Sequence, residues 1–157
     1  MNDLLELWLK PELLDLKNYF WKKNELLKKL EEFAWVYVSW WNAFVLTQAY
    51  HLSWFWKLYK NTKIKNKDFI YAGYSAWVCI LWKSLKCIAI ADDPNIFPCP
   101  ELKTIIWKWL WLMPYHISPH YDSDHEESKA TDKEIKYCID NKILFKALRD
   151  WEVIIEK

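Results

Sequence analysis

The stretch WVYVSWWNAFVLTQAYHLSWFW, residues 35–56, holds five tryptophans and no charged side chain. How it is read decides the fold. Leu26, Leu30, Phe33, Tyr37, Trp41, Phe44, Gln48, His51 and Phe55 recur at spacings of 3, 4 and 7, which mark one helical stripe. No proline interrupts the chain between Pro11 and Pro94, and Gly73 is the lone glycine there. The pattern therefore predicts one long helix from about Glu25 to Tyr59. Its first part is amphipathic, with Lys28, Glu31 and Glu32 on the far face; after residue 33 it is apolar almost all round. Such a helix is expected to be enclosed by other helices, by a partner or by lipid.

Lipid is the weaker reading. Ser39, Asn42, Thr47, Gln48, His51 and Ser53 interrupt the segment, and its aromatic rings do not gather into two belts. The acidic start, MNDLLELW, does not resemble a secretory signal. The expectation is a cytoplasmic protein with reduced thiols at Cys79, Cys87, Cys99 and Cys138.

Outward from the central segment, the expected architecture is all-α: a single-domain bundle of about five helices over residues 1–157, built round the long aromatic-rich helix. Asp3–Leu9 reads as a short first helix. Residues 57–67 read as a basic connector, and Phe69–Ile90 as a helix capped by Asp68. ADDPNIFPCP, 91–100, is a proline-rich loop. In the stretch 104–113, Trp107 and Trp111 stand four apart as on a helix, whereas Trp107, Trp109 and Trp111 alternate as on a strand; no strand partner is evident, which favours helix. Residues 114–130 read as an acidic, histidine-rich loop. Thr131 and Glu134 have the form of a capping box for a last helix to about Arg149.

Composition excludes several classes. Across 157 residues glycine occurs once, arginine once and tryptophan 13 times, against 21 lysines. One glycine rules out a phosphate-binding loop or a dinucleotide fingerprint and disfavours tight hairpins. One arginine leaves few forks for phosphate. The formal net charge is +1, so no overall field recruits a polyanion. Abundant Lys, Ile and Asn beside scarce Arg and Gly would also follow from an AT-rich gene.

No side chain in the sequence stands out as a nucleophile beside a base, and no catalytic residue or cofactor is predicted. In the 114–130 loop, His116, His120, Asp122 and Asp124 are weak candidate metal ligands; Glu127 and Lys133 stand where a calcium loop needs glycine and glutamate. His51 with Tyr37 and Gln48 could line an aromatic ligand pocket. Lys57, Lys60, Lys63, Lys65 and Lys67, beside Trp54 and Trp56, could meet single-stranded nucleic acid.

Thirteen indoles exceed what such a bundle hides easily, and tryptophan and tyrosine favour interface centres. Trp35, Tyr50, Trp54 and Trp109 are thus expected to bind a partner protein, within a nucleoprotein assembly if the lysines contribute. The expected function is a non-catalytic interaction protein: a small helical subunit of a larger complex, or a phage or mobile-element inhibitor of a host machine. The alternatives are a small-molecule or cofactor binder around His51, and a nucleic-acid-binding accessory protein.

Overall fold

The computed structural model describes residues 6, 8–39, 42–65, 68–109 and 111–156, without the side chains of residues 63–65. It is a mixed α/β structure. After a 3-10 turn at Leu16–Tyr19, the order is α1 (Lys23–Glu31), β1 (Trp35–Val38), α2 (Ala43–Ser53), α3 (Phe55–Lys65), β2 (Ile70–Gly73), α4 (Ala76–Cys79), β3 (His116–Ser118), α5 (Ser128–Asp140) and β4 (Phe145–Ala147). The expected all-α bundle is corrected by two parallel strand pairs. β1 pairs with β2, placing Trp35 opposite Ile70 and Val38 opposite Gly73; β3 pairs with β4, placing His116 opposite Phe145.

The single long helix is three elements. Its early part is α1, which buries Leu26 and Leu30 and packs on α3. The chain then extends through WVYV, whose valines suit a pleated surface. Helix resumes at Ala43, with the Asn42 side chain accepting the Val45 N–H at 2.9 Å as cap. Here the enclosed-helix reading holds locally: every residue from Ala43 to Tyr50 is buried. The helix stops at Trp54, whose backbone is left-handed at φ 62°, ψ 12°. Parallel strands need a long crossover, and α2 with α3 supplies it between β1 and β2.

Other expectations shift likewise. The basic connector is largely α3, to Lys65. The helix expected over 69–90 is instead β2, a sharp turn and short α4. The described residues of 104–113 form no helix: Leu85 donates its N–H to Trp107 O, Trp109 its N–H to Lys83 O, and Ser84 bridges Lys108 antiparallel. The partner segment, 83–85, had no strand-like pattern to reveal it. The 114–130 loop contains the buried strand β3, and the last helix starts at Ser128, so Thr131 and Glu134 lie inside it. The chain leaves that helix at Asp140 and returns as β4. Of the expected first helix, most residues lie outside those described.

The core gathers α2, the start of α3, α4 and the segment 76–88 round Phe44, Tyr50, Phe55, Leu58 and Leu85. The Tyr50 and Tyr71 hydroxyls bond at 2.6 Å within it, and burial pushes both well above the usual tyrosine value. Behind β3, His116 and Glu134 form a wholly buried pair, with Ser118 Oγ donating to the same carboxylate at 3.2 Å. All four cysteines are free and buried. Among the described residues, no helix is long and apolar enough to cross a membrane.

Nine described non-glycine residues take positive φ: Trp8, Trp21, Trp54, Ser75, Trp111, His120, Asp122, Lys142 and Trp151. Two of them, Ser75 and His120, meet at one crevice.

Candidate active site

The run FIYAGYSAWV crosses from strand to helix in two residues. β2 ends at Gly73, Ser75 takes φ 56° and ψ −128°, and α4 begins at Ala76. That backbone is costly for a residue with a Cβ, about 1–3 kcal/mol, and such costs concentrate at functional sites. A serine on a sharp strand-to-helix turn, with glycine two residues before it, is the setting of a nucleophile elbow. Its usual second glycine, two residues after the serine, is Trp77 here.

A histidine from the other strand pair lines the same crevice. β3 runs into Ser118-Pro119-His120. Leu148 donates to Ser118 O and Tyr121 donates to Leu148 O, both at 2.9 Å, so pairing with β4 continues past both strand ends. This carries His120 beside Asp150, with Nδ1 2.9 Å from Asp150 Oδ1. The hydrogen bond from His120 holds the Asp150 carboxyl below its ordinary value. Thr131 Oγ1 donates to Pro119 O at 2.8 Å, and the His125 ring stacks on His120 with centroids 3.8 Å apart. Arg149 Nε and Nη2 both donate to Asp122 Oδ2, at 3.0 and 2.8 Å, tying together the loops that bear His120 and Asp150.

His120 Nε2 is buried and has no hydrogen-bond partner. Its near neighbour Glu127 stands 3.8 Å away, too far for a hydrogen bond. The crevice there is lined by Ser75, Ala76, Asp92, His120, Glu127 and Glu134, among others. A serine on a strained turn and a histidine with one unpartnered buried nitrogen therefore line the same crevice, and a carboxylate holds the histidine's other nitrogen. This is the order of parts that activates a hydroxyl for attack.

The fold has a precedent. The chain resembles a crystal structure from Listeria monocytogenes EGD-e, named as a "putative peptidase E protein", with a TM-score of 0.74 at 23% identity. The likeness covers 98% of this chain and 73% of that one. No protein-family model matches the chain, and no curated protein matches it. At this identity the likeness establishes the fold. It overturns the all-helical bundle; the non-catalytic interaction protein, the phage or mobile-element inhibitor and the expected absence of enzymatic function are corrected with it, because the structure of similar fold bears a peptidase's name.

The residues singled out in the sequence are scattered. Trp35 lies half-buried in β1, Trp54 half-buried at the end of α2, Trp109 half-buried against residue 83, and Tyr50 is in the core. Tyr37 is exposed on β1 beside a larger apolar cleft that neither Gln48 nor His51 lines. Gln48 is buried and donates to Ile96 O at 2.8 Å, while His51 is exposed. Lys57 and Lys60 are exposed on α3, over the Trp54 and Trp56 rings. The backbones of Lys63 and Lys65 continue α3, and Lys67 lies outside the described residues.

The four weak metal candidates are not brought together as one set. His116 pairs with Glu134, His120 with Asp150 and Asp122 with Arg149, and Asp124 is exposed. Two other groupings hold donor atoms within 4.8 Å of one another: Cys87, His116 and Cys138 in the core, and His120, His125 and Glu127 at the crevice. Ser75 and Asp150 were missed. The signal for the first was the glycine–serine spacing at 73–75 between two apolar runs. The second had no local signal.

Proposed function

We propose that this chain is a serine hydrolase acting on peptide bonds, with Ser75 as nucleophile, His120 as general base and Asp150 as the group that orients it. The observation that carries the reading is the Asp150–His120 bond, which leaves Nε2 bare in the crevice that Ser75 lines. The name borne by the structure of similar fold suggests the peptide bond as substrate.

The chemistry follows from these positions. With Nδ1–H donated to Asp150, Nε2 carries the lone pair. It takes the Ser75 hydroxyl proton as Oγ bonds to the substrate carbonyl carbon. The carbonyl π electrons move to oxygen, and the N–H of Ala76, the residue after the nucleophile, is the donor that such a turn offers to the resulting oxyanion. Collapse expels the amine, which receives its proton from Nε2. Water, deprotonated by the same nitrogen, then attacks the acyl-serine; the acid leaves and Ser75 recovers its proton. Four unpaired, buried thiols suit a reducing compartment and support a cytoplasmic enzyme.

The test is covalent labelling with a fluorophosphonate, followed by peptide mass mapping and turnover of a panel of short peptides. Adduct on Ser75, lost in Ser75→Ala together with turnover, supports the assignment. A folded wild-type protein that is neither labelled nor active on any peptide sinks it.

A further inference from the structure

Tryptophan sits in this structure where glycine belongs. Five of the nine positive-φ non-glycine residues are tryptophans: Trp8 at 61°, Trp21 at 64°, Trp54 at 62°, Trp111 at 46° and Trp151 at 72°. The left-handed region is open to glycine and, less readily, to Asn, Asp or His; for a bulky side chain it is an outlier. Of the other four, His120 and Asp122 are tolerated types, Ser75 is the elbow, and Lys142 at 54° follows the end of α5.

The positions make the same demand by their roles. Trp54 terminates α2 as a left-handed cap, the commonest glycine position at a helix end. In Arg149-Asp150-Trp151-Glu152, Glu152 N–H bonds to Arg149 O at 3.2 Å, which closes a four-residue turn. Trp151 is the third residue of that turn, with positive φ, where glycine is strongly preferred. An ideal Cβ on Gly73 would stand 2.9 Å from the Trp77 ring, so even the lone glycine is crowded by an indole.

Several indoles are also poorly accommodated, although Trp56 and Trp77 pack in the core. Trp8 and Trp151 are 95% and 99% exposed. Trp56, Trp77, Trp82 and Trp109 each bury an indole nitrogen without an acceptor. Composition completes the case. One glycine in 157 residues is far below the ordinary share of about 7%, whereas one added to thirteen is close to it.

We propose that the thirteen positions written as tryptophan are occupied by glycine in the protein its source cell makes. The responsible codon is UGA, a terminator in the standard code that some codes read as tryptophan and others as glycine. An AT-rich gene, indicated by 21 lysines against one arginine, would favour that codon. The argument rests on backbone geometry and composition and is independent of the hydrolase reading. It bears on that reading in one respect: with glycine at 77 the elbow gains its second glycine, and Trp40 and Trp41, which precede the capping Asn42 in the sequence, become a glycine pair.

The test is peptide mass spectrometry of the protein isolated from its source cells, with the gene sequenced beside it. Peptides spanning residues 54, 111 and 151 are expected to be lighter at each position by the difference between an indolylmethyl group and hydrogen, with UGA in the gene. Tryptophan in those peptides, or UGG at those codons, overturns the proposal. Recombinant chains give a second reading. Combining Trp8→Gly, Trp21→Gly, Trp54→Gly, Trp111→Gly and Trp151→Gly should raise the melting temperature by about 10 °C or more; an unchanged or lower value counts against it. If glycine is found but Ser75 resists labelling, this inference stands and the hydrolase assignment falls.

Discussion

Asp150 accepts from His120 Nδ1 at 2.9 Å across thirty residues of sequence, and the β3–β4 pairing sets that meeting. Because the bond favours the ionised carboxyl, Asp150 stays charged at neutral pH and fixes which ring nitrogen carries hydrogen. Asp150→Asn keeps the shape but can present its amide N–H to Nδ1, turning the imidazole to the tautomer that cannot take the serine proton. We expect kcat to fall about ten-thousandfold, with KM and melting temperature little changed. Steady-state kinetics on a peptide substrate checks this, and wild-type turnover in the variant would remove Asp150 from the triad.

Asp92 gives a pH signature. It is 8% exposed, it accepts the Ala43 N–H at 2.6 Å, and burial pushes its carboxyl up to about 6, helped by Glu127 and Glu134. Between about pH 4 and this raised value the folded state keeps a proton that the unfolded chain releases. Stability therefore falls as pH rises through that window, by about 3 kcal/mol in all. Asp92→Asn removes the titration and should flatten that part of the profile. Urea melts at about pH 4, 5 and 7 read the slope; an equally steep fall in the variant would assign it elsewhere.

What could be read from the residues, and what could not, follows from where the punctuation lies. The stripe from Leu26 to Phe55 continues across β1 because a short apolar strand and a helix segment share the same pattern. Their boundaries are normally marked by glycine, and here the αL stop after α2 is Trp54. The elbow was veiled in the same way, since Trp77 stands where the second glycine would have drawn attention to Ser75. The enclosure of residues 43–50 was legible because all-round apolarity is a local property, whereas Asn42, the cap of α2, reads in the sequence as one polar interruption of a continuous helix. His120 was noticed, but as a weak metal ligand. Its role depends on Asp150, which only the strand pairing brings near.

Gly73 tests the junction between the strand pair and the elbow. It faces Val38 in the β1–β2 register, and a Cβ there would press on the Val38 carbonyl oxygen, which is backbone and cannot rotate away. Gly73→Ala should destabilise by about 1–3 kcal/mol. It should also displace Ser75, two residues on, so fluorophosphonate labelling slows even where the variant remains folded. Denaturant melts and labelling rates measured on the same samples check both; unchanged values would mean that β1 and β2 separate freely at this end.

Trp54 separates backbone strain from side-chain loss. Trp54→Gly relieves a left-handed conformation that costs an L-residue about 1–2 kcal/mol, and should stabilise by about that amount. Trp54→Ala sheds the same indole, including its contact with the Lys57 ammonium 4.4 Å above the ring, but retains the Cβ and hence the backbone penalty. If strain at the helix end dominates, glycine gains and alanine does not. If the indole merely packs badly, the two variants gain alike. If the Lys57 contact matters more than either, both lose stability. Paired thermal melts of the three chains distinguish these outcomes, and the left-handed cap requires the first.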